Sequence, residues 1–206
     1  LVPALTVYWI DALIWLTIYA LVIGSGTVYL VLYHPGGIAA RFRFRLDKQP
    51  FLDKLAIAFL LISIIIGFIL CPLDLFHWQL AEAPPKILRI IGLFLYILGM
   101  IVALAAHVTN NFISPTVHIQ ERHGHKVVDT GLYAYVRHPM YAGILLIVIG
   151  SLLWLGTYFS LTVGSFLTTL SLTFRMNIEE KILTSDLDGY REYSKRVKTR
   201  IIPFLI

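Results

Sequence analysis

Long apolar runs separated by polar segments set the pattern of this chain. Residues 5–32 are apolar apart from Asp11, residues 55–72 carry no charge, and residues 87–108 hold Arg89 near one end. Each run approaches or exceeds the roughly 20 apolar residues that a membrane-crossing helix requires. The last run, 140–174, is uncharged throughout. As one helix its roughly 35 residues would reach about 52 Å, against a hydrocarbon core of about 30 Å. The run therefore predicts two helices folded back on each other, turning within "WLGTY" (154–158), where Gly156 offers a break. Beyond it, "NIEEKILTSDLDGYREYSKRV" predicts a helix, a break at Asp188 and Gly189, and a second helix. Ile178, Ile182 and Leu183 fall at helical spacing, and Glu192 faces Arg196 four residues on. The closing "IIPFLI" is apolar enough to return to a bilayer surface, and nothing repeats internally.

Composition turns this pattern into a class. Of 206 residues, 58% are hydrophobic and 14% charged, with mean hydropathy +0.78. A soluble domain carries nearer a quarter charged residues. The expectation is an all-α integral membrane protein with about five transmembrane helices, the last two a hairpin, and a cytoplasmic helical tail. Residues 1–109 hold three spans, and residues 110–206 hold nearly all the polar groups with chemical potential. The opening run is too long for the apolar part of a signal peptide and lacks a basic flank.

Net charge is +5. The basic segments are "RFRFRLDKQPFLDK" (41–54), residues 110–139 with Arg122, Lys126 and Arg137, and the tail from Arg175, whereas residues 72–86 are nearly balanced. Five spans with the N-terminus outside put all three basic segments in the cytoplasm. The positive excess thus belongs beside anionic lipid, and no nucleic-acid motif is present. Cys71 is the lone cysteine, so no internal disulfide or cysteine zinc site forms.

Three clusters carry candidate chemistry: "QERHGHKVVDTG" (120–131), "GLYAYVRHPMYAG" (131–143) and "RMNIEE" (175–180). In the second, Pro139 drives His138 out of the α region and starts the next helix, placing Tyr141 in its first turn. Free N–H groups there attract anionic or oxygen-rich ligands, and Tyr133 and Tyr141 offer aromatic faces suited to a nucleotide-like cofactor. Tyrosines and an arginine also make an ordinary interfacial belt, with proline as a simple cap. The spacing alone leaves both readings open. Arg175 and Glu179 stand four apart, either a local ion pair or part of a site; Glu179 and Glu180 either begin a solvated tail or hold a cationic group. His123 and His125 lack a convincing third ligand and read as loop residues rather than a metal site. Asp11 is expected to pair or snorkel at the outer interface, with no matching acid or base in another span for transport.

In combination and order, "HKVVDTGLYAYVRHPMYAG" (125–143), a hairpin, "EEKIL" (179–183), "GYREYSKRV" (189–197) and "IIPF" (201–204) resemble the isoprenylcysteine carboxyl methyltransferase family. That family lies within a wider group of small membrane methyltransferases that includes phospholipid N-methyltransferases. The resemblance covers residues 110–204; the first half is similar only in being helical. It implies an enzyme using S-adenosylmethionine, with the cofactor bound by Gln120, His125, Lys126, Val127, Val128, Tyr133, His138, Pro139, Met140, Tyr141 and Glu179. It makes Arg175 the substrate-side arginine. Catalytic roles would fall to Arg175, Glu179 and His138, with no metal.

A sulfonium donor carries its own leaving group, so such catalysis needs positioning more than acid or base. A carboxylate acceptor is ionised at neutral pH and needs a cation to orient it, a task suited to an arginine fork. A lipophilic or lipidated substrate would enter from the membrane. An amine acceptor would instead need a base, Glu180 or His138. A sterol-type NADPH reductase and a non-catalytic lipid-binding protein are the remaining alternatives.

Overall fold

The computed structural model describes residues 8–33, 50–113 and 126–201. Among these, all regular structure is helical. Helix α1 spans Ile10–Tyr33, α2 Phe51–Leu73 and α3 Lys86–Thr109. A short turn of 3-10 helix, Gly131–Ala134, leads to α4 (Pro139–Leu155), α5 (Tyr158–Asp186) and α6 (Tyr190–Arg196). Among the described residues, three helices are long and apolar enough to cross a membrane: Ile10–Tyr33, the continuous Phe51–Trp78 and Lys86–Thr109. The predicted hairpin is present, with α4 ending at Leu155. At 29 residues, α5 reaches about 43 Å, so its polar end from Arg175 onward projects beyond its apolar part.

Glycine decides how closely the helices meet. Between α3 and α4, Gly92 and Gly99 face Gly143 and Gly150; a Cβ on Gly150 would lie 2.3 Å from the Tyr96 backbone nitrogen. No side chain fits there, and the backbones touch as small-residue helix pairs in membranes do. A looser seam joins α2 to α5, where a Cβ on Gly67 would sit 3.2 Å from the Gly164 Cα.

One end of the bundle is clasped by polar groups. Thr157 caps α5 in a reciprocal pair with Ser160. Its hydroxyl donates to the Asp74 carboxylate at 2.5 Å, and the Leu80 N–H donates to the same group at 2.7 Å. Asp74, Thr157 and Ser160 are all buried. The Tyr158 N–H meets the Glu82 carbonyl at 3.0 Å, so the 74–85 segment and the hairpin turn share this end. Asp11 also lies here. It pairs with Arg89, whose Nε donates to the Trp154 carbonyl at 2.9 Å and whose guanidinium lies over the Trp154 ring. The expected absence of a matching base for Asp11 is thereby corrected. Arg89, spaced far along the sequence, is brought to it by the packing of α1 against α3 and α4.

Candidate active site

At the opposite end, Gly131–Ala134, the start of α4, the exit of α5 and α6 converge. His138 has φ −125° and ψ 61°, outside the α region as its following proline demands, and Pro139 opens α4. The His138 carbonyl accepts from both the Tyr141 and Ala142 N–H groups, closing the first turn of α4. The His138 ring stacks on Tyr141 with centroids 5.3 Å apart.

The chain on either side of His138 is tied to the tail. The Arg137 and His138 N–H groups donate to the carbonyls of Thr199 and Arg200 at 3.0 and 2.9 Å. The Arg137 side chain donates Nε to Glu180 at 2.7 Å and one terminal nitrogen to the carbonyls of Val197 and Lys198 at 2.7 and 3.0 Å. Glu180 also meets His138 Nε2 at 3.1 Å and Arg200 at 3.0 Å. Burial by itself would raise the Glu180 pKa, but hydrogen bonds and charge from His138 and Arg137 outweigh it and hold the group at about 2. Glu180 is therefore a fixed anion that docks the tail. Tyr193 strengthens the dock by donating its hydroxyl to the Tyr133 carbonyl at 2.8 Å.

Inside this frame lies a cleft with about 800 Å³ of empty space, solvent at its open mouth included. Lys126, Val127, Val128, Tyr133, His138, Met140, Tyr141 and Glu179 line it. Arg137 also reaches it, with its guanidinium turned toward Glu180 and the tail. Behind the wall runs a line of buried polar groups. Tyr141 donates its hydroxyl to Glu179, Arg175 Nε donates to the Tyr141 oxygen at 2.8 Å, and Arg175 pairs with Asp53 at 2.8 Å. Asp53 is fully buried and Arg175 nearly so.

Eight of the eleven residues expected at a cofactor pocket thus share one cavity wall. Pro139 is buried beside it and sets the turn, while Gln120 and His125, like His123, lie outside the described residues. Arg175 stands behind Tyr141 rather than on the wall. The local Arg175–Glu179 pair considered from sequence is replaced by a bridge through the Tyr141 hydroxyl, with Asp53 as the arginine's ionic partner. Sequence reasoning missed Asn110, Phe112 and Ile113 at the end of α3, and Leu187, Tyr190 and Tyr193 on the tail, all of which line the cleft. The tail residues carried a signal in their apolar spacing, and Asp53 carried one as an acid inside a basic segment.

Residues 90–185 match the model of the isoprenylcysteine carboxyl methyltransferase family. This region is ICMT-like. Among curated proteins, the chain is 31% identical over 141 residues to a protein-S-isoprenylcysteine O-methyltransferase of Saccharomyces cerevisiae, covering 68% of this chain and 57% of that protein. It is 36% identical over 78 residues to the protein of the same name from Schizosaccharomyces pombe, covering 37% of this chain and 33% of that one. The matched part therefore spans less than two thirds of either relative's length. The ICMT-like region begins inside α3, earlier than the motifs alone indicated, and contains the glycine seam, the His138–Pro139 turn, Arg175, Glu179 and Glu180.

Proposed function

We propose that this protein is an S-adenosylmethionine-dependent membrane methyltransferase acting on the carboxylate of a lipidated substrate, a prenylated cysteine above all. The observation that carries the reading is the cleft: in an ICMT-like chain, segments 126–128 and 133–141 and Glu179, far apart in sequence, form one wall. Its chemistry suits the cofactor. Val127, Val128 and Leu183 offer apolar surface, Tyr133 and the stacked His138–Tyr141 pair offer aromatic faces, and Glu179 offers an anion to a cationic or hydroxylated group.

When bound, S-adenosylmethionine supplies an activated methyl group on a sulfonium, displaced in line. Transfer to an acceptor carboxylate, already ionised at neutral pH, would need no proton to be moved by the protein. The protein's work is then placement. Glu179 and the aromatic faces would orient the donor, and Lys126 stands at the edge of its enclosure. Arg175, held beside the pocket by Tyr141, is the cation toward which the acceptor carboxylate is drawn. In the membrane we place five spans, with the hairpin turn outside and the cleft at the cytoplasmic face, so that the lipid tail enters between helices and the cofactor from water.

The test uses purified protein in detergent or nanodiscs, a radiolabelled methyl donor and a prenylcysteine acceptor. Alkali-labile label in the acceptor, released as methanol, is the expected product of carboxyl methylation. Alkali-stable label in lipid headgroups would instead establish N-methylation, and no cofactor binding by well-folded protein would overturn the methyltransferase reading.

A further inference from the structure

Asn110 follows the last turn of α3. Its N–H closes on the Ala106 carbonyl at 3.0 Å, and its half-buried side chain lines the cleft. The Phe112 N–H donates to Asn110 Oδ1 at 2.9 Å. Only the oxygen of a side-chain amide can accept from an N–H, so this bond fixes which way the planar group faces. The amide nitrogen keeps two donors, and none of the described residues accepts from them. Lys126 lines the same cleft and is exposed, with no ion pair among the described residues. Neighbouring donors are less available. Arg137 and His138 face Glu180, Tyr141 donates to Glu179, and the Tyr190 hydroxyl is buried.

We propose that Asn110 is a cofactor-binding residue: its amide nitrogen, together with the Lys126 ammonium, holds the carboxylate at the amino-acid end of S-adenosylmethionine. A carboxylate leaving bulk water needs donors in place of its hydration. Donors that have no protein partner supply them without breaking a bond already made. Glu179, the acid on this wall, suits the ammonium or hydroxyl groups of the same ligand and repels its carboxylate. The inference rests on the methyltransferase reading of the cleft and deepens it by stating which part of the cofactor the end of α3 recognises.

The experiment uses calorimetry on the protein in nanodiscs, comparing S-adenosylmethionine with its decarboxylated form, the same sulfonium without the carboxylate. The wild type is expected to bind the carboxylated donor at least about tenfold tighter, the scale of a hydrogen bond to a charged group. Asn110→Asp keeps an oxygen for the Phe112 N–H and puts an anion where the donors were. It is expected to remove the preference while binding the decarboxylated form no more weakly than wild type does. Lys126→Met is expected to narrow the preference as well, and a preference equal to wild type overturns the lysine's part. A wild type without the preference, or Asn110→Asp that keeps it, overturns the inference. So does Asn110→Asp that weakens both ligands equally, which marks Asn110 as a purely structural end to α3. If Asn110→Asp does not fold, Asn110→Ser, whose hydroxyl can still accept from the Phe112 N–H, is judged by the same outcomes. A wild type that binds neither form strikes the cleft reading itself, a distinct result.

Discussion

Adjacent glutamates at the exit of α5 meet different surroundings. Glu180 is gripped by Arg137, His138 and Arg200, whereas Glu179 accepts from Tyr141 and faces the cleft. Their substitutions should separate accordingly. Glu179→Gln should abolish measurable S-adenosylmethionine binding in calorimetry while leaving the unfolding temperature little changed. Glu180→Gln should loosen the tail, seen as faster proteolysis of residues 190–201. The pH dependence has a definite sign. The folded-state pKa of Glu180, about 2, lies below its ordinary 4.5, so its stabilisation is complete above pH 4.5 and drains away as pH falls toward 2. Protease protection of the tail should decline across that window in the wild type, and Glu180→Gln should lack the slope. Removing Arg137 leaves Glu180 and several tail carbonyls without their main donor. Arg137→Ala should cost about 3 kcal/mol, as for a broken buried pair, read from denaturant unfolding.

Among elements, the α3–α4 pair and the hairpin decide whether the site exists. The backbones meet so closely at Gly150 that a methyl group must push α4 away from α3. Gly150→Ala should destabilise by about 2 kcal/mol, the usual scale of overpacking, and should weaken cofactor binding by displacing the His138 turn at the head of α4. Thr157→Ala removes both the α5 cap and a partner of buried Asp74. A loss of at least about 1 kcal/mol in detergent unfolding is expected. The hairpin was legible because a run too long for one span contained a glycine. The pairing of α3 with α4 was less so: glycines at 92, 99, 143 and 150 are visible in the sequence, but nothing local states which of them face each other.

For the whole molecule, polar groups gather at two opposite ends. The clasp of Asp74, Thr157 and Glu82 marks one and the cleft with its tail marks the other. The proposed arrangement of five spans with the N-terminus outside would put the clasp outside and the cleft at the cytoplasmic face. Cys71 is buried, which makes Cys71→Ala a convenient background for single-cysteine labelling. Exposed Leu80 and Tyr135 lie at the two ends. Leu80→Cys should react with an impermeant thiol reagent on intact cells, and Tyr135→Cys only after permeabilisation; the reverse pattern would invert the topology.

By itself the sequence determined the helical runs, their break points, the His138–Pro139 turn and the family likeness, because hydrophobic length, proline and glycine act over a few residues. Tertiary structure alone decided that Arg175 answers to Asp53, that Arg137 binds the tail, that Asp11 finds Arg89, and that Tyr190 and Tyr193 wall the cleft. A buried charge must be neutralised by whatever partner packing brings within about 3 Å, and that partner lies on another helix. Separation along the chain carries no record of it.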